Sequence, residues 1–281
     1  MAVPDTEDID LEHQYLKGNL IGLKKTMVSY CDELLDKIDA NVRLKKGFSV
    51  VRASDGEAYF LQKRAVGNIT RRHYTKSTDL DSLDVSPFRQ GLLDSDIRLG
   101  DMYKNNRRMF RKIYGREIFS DIPFESVYAL FASKRIFRTF WRLGIIGSDH
   151  KIDIIKKLFE HAEYRDYIGR QGIDHYIGVP ERGAANDPYG IAERISGQIR
   201  EDIDVYLVGI GIVKLFVIPR MKNFHSNVFL DAGAGISAMA GMVGRERAYF
   251  AGWKNFQLNG YDYSQVDTMD LDAQGGIIVK I

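Results

Sequence analysis

Phe48-Ser49-Val50-Val51-Arg52-Ala53-Ser54-Asp55-Gly56-Glu57 is an apolar, β-branched run that gives way to two carboxylates one glycine apart. Its first seven residues read as a buried strand, with the acids at the strand's end. Such a pair suits a hard cation, because Mn²⁺ or Mg²⁺ takes oxygen ligands and can share them with phosphates. Gly56 is expected to turn the backbone tightly, so that Asp55 and Glu57 face one point. Arg52, three residues upstream, is placed to meet an anion or to hold a carboxylate. The plain alternative is a surface turn, since Asp-Gly is a common turn dipeptide.

Outward from this stretch, the C-terminal half alternates short apolar runs with helical segments. Leu143 to Gly147 reads as a strand, Ser148-Asp149 as a cap, and Lys151 to His161 as a helix. His175 to Pro180 is a second strand of this half, and Asp187-Pro188 starts a helix reaching about Arg200. Asp204 to Gly209 and Asn227 to Leu230 complete the strands. The alternation predicts an α/β fold with a Rossmann-like parallel sheet flanked by helices. Ligands of such sheets bind beyond the carboxyl ends of the strands. The polar and glycine-rich pieces fall there: Ser54 to Glu57, Gly147 to His150, Glu181 to Ala185, Gly209 to Lys214 and Asp231 to Gly235.

Ahead of the first strand, Leu16, Leu20, Leu23, Met27, Cys31, Leu34 and Ile38 recur at steps of three and four. That is an amphipathic helical lead over residues 1–46, packed on a single α/β domain over 47–281; a homodimer seam is the other use of its apolar face. The region from Thr78 to Asp96 is polar and turn-rich and reads as irregular. Lys63 to Lys76 is a basic loop that could help hold phosphates or an acceptor. Lys104 to Arg116 carries arginines and aromatics on different sides, the pattern of a half-buried helix more than of a nucleic-acid surface. Val127, Leu130, Phe131, Phe137, Phe140 and Trp141 form a similar apolar stripe.

Forty Lys+Arg against 38 Asp+Glu leave a net charge of +2, so no bulk charge argues for nucleic acid or membrane. The most apolar stretch, Val205 to Pro219, contains Lys214 and is shorter than the roughly 20 residues of a membrane-spanning helix. The start of the chain lacks the pattern of a signal peptide, and the single cysteine, Cys31, favours a reducing compartment, so a cytoplasmic protein is expected.

Arg52-Ala53-Ser54-Asp55-Gly56-Glu57 resembles the R-x-G-D-G-E signature of the GT-D-fold glycosyltransferases, with Ser54 standing where the family usually has glycine. Leu207 to Lys214, Phe229 to Gly235, Arg247-Ala248-Tyr249-Phe250 and Trp253-Lys254-Asn255 are similar to that family too. The likeness spans roughly Gly47 to Glu57 and Leu143 to Leu258. It implies that Asp55 and Glu57 hold Mn²⁺ or Mg²⁺ against the diphosphate of a UDP-sugar, glucose or xylose being the first sugars suggested. Arg52, Ser54, Gly56, Gly209, Gly211, Lys214 and Gly233 would line the donor site, and a saccharide or glycoconjugate would be the acceptor.

Gly209-Ile210-Gly211 admits backbone N–H groups close to phosphate, and Lys214 could reach the diphosphate as a point charge. Negative charge grows on the departing nucleoside diphosphate, which the metal and Lys214 would stabilise. An inverting reaction needs a base for the acceptor hydroxyl, for which Asp149, His150, Asp231 and His225 are the candidates. Two other readings compete. Asp231-Ala232-Gly233-Ala234-Gly235 matches the D-x-G-x-G pattern of S-adenosylmethionine-dependent methyltransferases, although only 46 residues follow it. A non-catalytic nucleotide- or nucleic-acid-binding protein would instead work through the basic loops.

Overall fold

The computed structural model describes residues 20–64, 80, 82–180, 183–243, 250 and 252–263, with side chains described from Met27 onward. Six parallel strands form one sheet: β1 (Phe48–Ala53), β2 (Ile97–Gly100), β3 (Leu143–Ser148), β4 (His175–Val179), β5 (Val205–Gly209) and β6 (Val228–Asp231), in the order β2-β1-β6-β5-β3-β4. Register aligns Ala53 with Gly100, Val208 with Asp231, Gly147 with Gly209 and Ser148 with Val179, so the carboxyl ends of all six strands share one edge. The fold is α/β and Rossmann-like, with an N-terminal helix, as the alternation predicts.

Eleven helices are named here in chain order: α1 (Leu20–Arg43), α2 (Asp55–Leu61), α3 (Ser86–Asp94), α4 (Lys104–Tyr114), α5 (Glu125–Ala132), α6 (Arg135–Thr139), α7 (Asp149–Leu158), α8 (Ala162–Ile168), α9 (Pro188–Ser196), α10 (Lys214–Met221) and α11 (Ala234–Met239). One face of the sheet packs under α1, α5 to α8 and α11, and the other under α2 to α4, α9 and α10. The strands divide their side chains accordingly: Val50 enters the first core and Val51 the second. In α1, Met27, Cys31, Leu34, Leu35 and Ile38 are buried, so this part of the apolar face is covered within the chain. Leu16 lies outside the described residues, and so do the side chains of Leu20 and Leu23.

Several elements differ from the sequence reading. Thr78 to Asp96 is not wholly irregular, because Ser86-Pro87 opens α3, where a proline in the first turn costs no hydrogen bond. Strand β2 was hidden by its length: only Ile97 and Leu99 alternate before Gly100 ends it. Trp141 belongs to no buried stripe and is 84% exposed, because α6 ends at Thr139 and the chain turns into β3. The helix after β3 begins at Asp149, with Ser148 Oγ accepting a bond from Lys151 N at 3.3 Å. The terminal stretch from residue 264, residues 65–79, which include the basic stretch of Lys63 to Lys76 from residue 65 onward, and residues 181–182 lie outside the described residues.

α10 contains Pro219 in its interior, which removes the donor that would have bonded the Leu215 carbonyl. That carbonyl faces Gly91 of α3, where a Cβ would collide with the oxygen. A missing N–H on one helix and a missing side chain on the other thus bring two backbones together, and α10 is fixed over β1, β5 and β6.

Candidate functional site

The site lies at the carboxyl edge of β1 and β6, neighbours in the sheet but 179 residues apart in the pairing of Arg52 with Asp231. Asp231, the last residue of β6, is fully buried and accepts from Arg52 N at 3.0 Å and from Arg52 Nη2 at 3.2 Å. Arg52 Nε also donates to the Asp231 carbonyl at 2.9 Å. Arg52 Cζ lies 5.1 Å from the Phe124 ring centre and 4.7 Å from that of Tyr128. Lys214, the first residue of α10, stands 2.8 Å from Asp231 Oδ2 and 2.9 Å from Glu57 Oε1. Glu57 Oε2 accepts from Ser54 N at 2.9 Å.

Arg52, Lys214, Glu57 and Asp231 make a quartet of two cations and two anions, so the buried group is neutral as a whole. Burial pushes the Asp231 carboxyl up, but Arg52 and Lys214 outweigh it and hold the group below the usual carboxylate range. Burial lowers the Lys214 ammonium, and Asp231 and Glu57 overcome that, leaving it above its ordinary value. Such a group is costly to break, since removing one member strands a buried charge, at about 3–5 kcal/mol.

Asp55-Gly56-Glu57 is the first turn of α2 and not a tight turn around Gly56. Residues two apart on a helix do not face each other, and the two acids separate accordingly. Glu57 turns inward to Lys214. Asp55 is exposed, with Oδ1 accepting from Gly56 N at 2.8 Å and from Ser54 Oγ at 3.3 Å. A hard cation shared with phosphate is compatible with Asp55, an open carboxylate needing few partners from the protein. Glu57 fits that role less well, because a second cation at its carboxylate would stand beside the Lys214 ammonium. No three Asp, Glu, His or Cys side chains among the described residues form a group that could hold a metal ion.

The glycines at the ends of β5 and β6 have distinct reasons. Gly233 has φ +45°, and the Arg52 guanidinium occupies the space of its absent Cβ. A Cβ on Gly209 would come within 2.6 Å of Ile236, and one on Gly235 within 2.8 Å of Phe131. Packing against Arg52, Ile236 and Phe131 therefore accounts for these three. Gly211 differs: it is exposed, has φ +63°, and its Cβ position meets none of the described residues beside the 3₁₀ turn that leads into Lys214.

Of the proposed bases, Asp231 belongs to the quartet, where its carboxylate already receives Arg52 and Lys214. Asp149 and His150 follow β3, two strands from β6, roughly 10 Å along the sheet. Asp149 leans outward onto Gly178 of β4, its Oδ1 3.8 Å from Arg194 Nη2. His225 sits ahead of β6, at the opposite edge of the sheet, between Ser196 Oγ at 2.8 Å and Glu201 Oε1 at 3.2 Å. It is remote from the strand ends that carry the other candidates. Trp253 and Phe250 pack as core, Trp253 edge-on to Tyr167 at 5.4 Å and Phe250 edge-on to Tyr128 at 5.3 Å, while residues 247–249 lie outside the described set.

The sequence reading missed a second acidic group next to the first. Asp101 follows β2, and its carboxylate accepts from Asn106 Nδ2 at 2.6 Å and Tyr103 N at 3.2 Å. Glu125 Oε1 accepts from Met102 N at 3.2 Å, while its buried Oε2 has no hydrogen-bond partner among the described residues. Burial, with Asp55 adding repulsion, raises the Asp101 carboxyl to about 7; burial and Asp101 raise Glu125 to about 8. The available signal was Leu99-Gly100-Asp101, a strand end finished by glycine and an acid. Among the described residues no helix is long and apolar enough to cross a membrane. Compared with protein-family models, with curated proteins and with solved structures, the chain matches none.

Proposed function

We propose that this chain is a metal-dependent glycosyltransferase that moves a sugar, glucose or xylose first among them, from a UDP-sugar to a saccharide or glycoconjugate acceptor in the cytoplasm. One observation carries the reading. The three separate stretches that resemble the GT-D glycosyltransferases, around Arg52 to Glu57, Lys214 and Asp231, converge in one quartet of ion pairs at the strand ends.

In this reading Asp55 holds Mn²⁺ or Mg²⁺ together with the donor diphosphate, and the bound metal supplies Lewis-acid stabilisation of the leaving group. Lys214 adds a fixed positive charge at the same edge, kept in place by Glu57 and Asp231. Gly211 exposes backbone on the approach to α10. Asp149 and His150, two strands away, are the candidates to take the acceptor's proton, while Asp231 serves as the internal counter-ion of Arg52 and Lys214.

Thermal stabilisation of the full chain by a panel of nucleotide sugars and by S-adenosylmethionine, each with and without Mn²⁺, tests the proposal. A shift from one nucleotide sugar that requires Mn²⁺ and is lost in Asp55→Ala supports it. A metal-independent shift from S-adenosylmethionine alone would overturn it in favour of methyl transfer at Asp231 to Gly235. A salt-sensitive affinity for RNA or DNA without metal dependence would favour a non-catalytic binding protein.

A further inference from the structure

We propose that Glu57 is a positioning residue for Lys214 and not a metal ligand, so that the donor diphosphate is held by two independent attachments: the metal at Asp55 and the ammonium of Lys214. The inference rests on the donor-site reading above and divides its labour.

The geometry separates the two acids before any ligand arrives. Asp55 and Glu57 start α2 two residues apart, on different sides of the helix. Both oxygens of Glu57 are engaged, Oε1 with Lys214 at 2.9 Å and Oε2 with Ser54 N at 2.9 Å, and its side chain is 12% exposed. Among the described residues, Asp55 carries the local contacts from Gly56 N and Ser54 Oγ, and it is exposed.

Lys214 is fixed from behind as well. Its second contact, at 2.8 Å, is Asp231, which is itself locked to Arg52. An ammonium has three donors, and Glu57 and Asp231 take two of them. The third is bonded to neither carboxylate and is the donor available to an anion, on a side chain that is 7% exposed. Without Glu57, Lys214 would keep a single carboxylate partner and lose its direction, whereas Asp55 would keep its bonds from Gly56 N and Ser54 Oγ. Glu57 therefore acts on phosphate through Lys214.

The test measures two bindings on the full chain: UDP affinity in the presence of a chelator, by calorimetry, and Mn²⁺ affinity in the presence of UDP, by electron paramagnetic resonance. Asp55→Asn is expected to lose Mn²⁺ and retain metal-free UDP binding. Glu57→Gln is expected to retain Mn²⁺ affinity within about threefold while its metal-free UDP affinity falls roughly ten- to hundredfold, the range for a hydrogen bond to a charged group. Lys214→Met should match that fall, and Glu57→Gln combined with Lys214→Met should bind UDP no more weakly than Lys214→Met alone. If Lys214→Met does not fold, Lys214→Gln, which removes the charge but keeps two amide N–H donors, replaces it.

Loss of Mn²⁺ in Glu57→Gln as complete as in Asp55→Asn, or additive losses of UDP affinity in the double variant, would overturn the assignment. An unaltered chain that binds neither UDP nor Mn²⁺ would instead bring down the donor-site reading, and this inference with it.

Discussion

The Arg52 guanidinium occupies the space into which a Cβ on Gly233 would project, so the chain after β6 is wrapped around the cation that β1 supplies. Residue 233 also has φ +45°. Gly233→Ala thus meets a backbone penalty and a collision with the side chain that holds Asp231. It is expected to lower stability by about 3 kcal/mol or more, read as the shift in urea midpoint of the ligand-free chain.

Gly91 and Leu215 make the equivalent contact between two helices. A side chain at Gly91 would press on the Leu215 carbonyl that Pro219 has left without its helical donor. Gly91→Ala should cost roughly 2–3 kcal/mol by forcing α3 and α10 apart. Because α10 carries Lys214, the same variant should weaken UDP binding measured without metal.

The carboxyl pair of Asp101 and Glu125 sets a pH dependence. Unfolded carboxyls titrate near 4, whereas these stand at about 7 and about 8 when folded. Between those limits the folded chain keeps protons that the unfolded chain releases, so the free energy of unfolding falls as pH rises. Stability from these groups is fully present below about pH 4 and is lost through the interval up to pH 7 for Asp101 and pH 8 for Glu125. Glu125→Gln, which cannot ionise, should flatten the profile between about pH 5 and 8 and stabilise the chain at pH 8 by on the order of 2 kcal/mol. Denaturant unfolding at a series of pH values checks this. A steeper profile in the variant would contradict it.

A buried helix cap and an exposed indole provide a contrast. Ser148→Ala removes the oxygen that accepts from Lys151 N and should cost about 1 kcal/mol in thermal unfolding. Trp141→Ser, at an 84% exposed residue, should change stability by less than about 0.5 kcal/mol despite the size of the side chain.

The parallel sheet was legible where the strands are long and apolar. Val50-Val51, Ile145-Ile146 and Leu207-Val208 carry no polar face, and only burial on both sides accommodates that. β2 was not legible, since four residues give too few alternations to separate a strand from a loop. Trp141 misled for a related reason: helical spacing says which residues share a side, not where the helix ends. At the site, the residue types were readable and their pairing was not. Asp55, Glu57, Lys214 and Asp231 all stood out as polar groups at strand ends, but which carboxylate meets Lys214 depends on the start of α2.

By itself, the sequence determined the α/β class, the burial of Met27 to Ile38 along one helix, and the edge of the sheet where the polar residues gather. Periodicity and caps decide those locally. Only the tertiary structure decided that β6 lies beside β1, and with it that Asp231 closes on Arg52 and Lys214 while Asp55 stays outside. Strand order joins residues that no local pattern relates, and a buried charge accepts only the partner that the packing delivers to it.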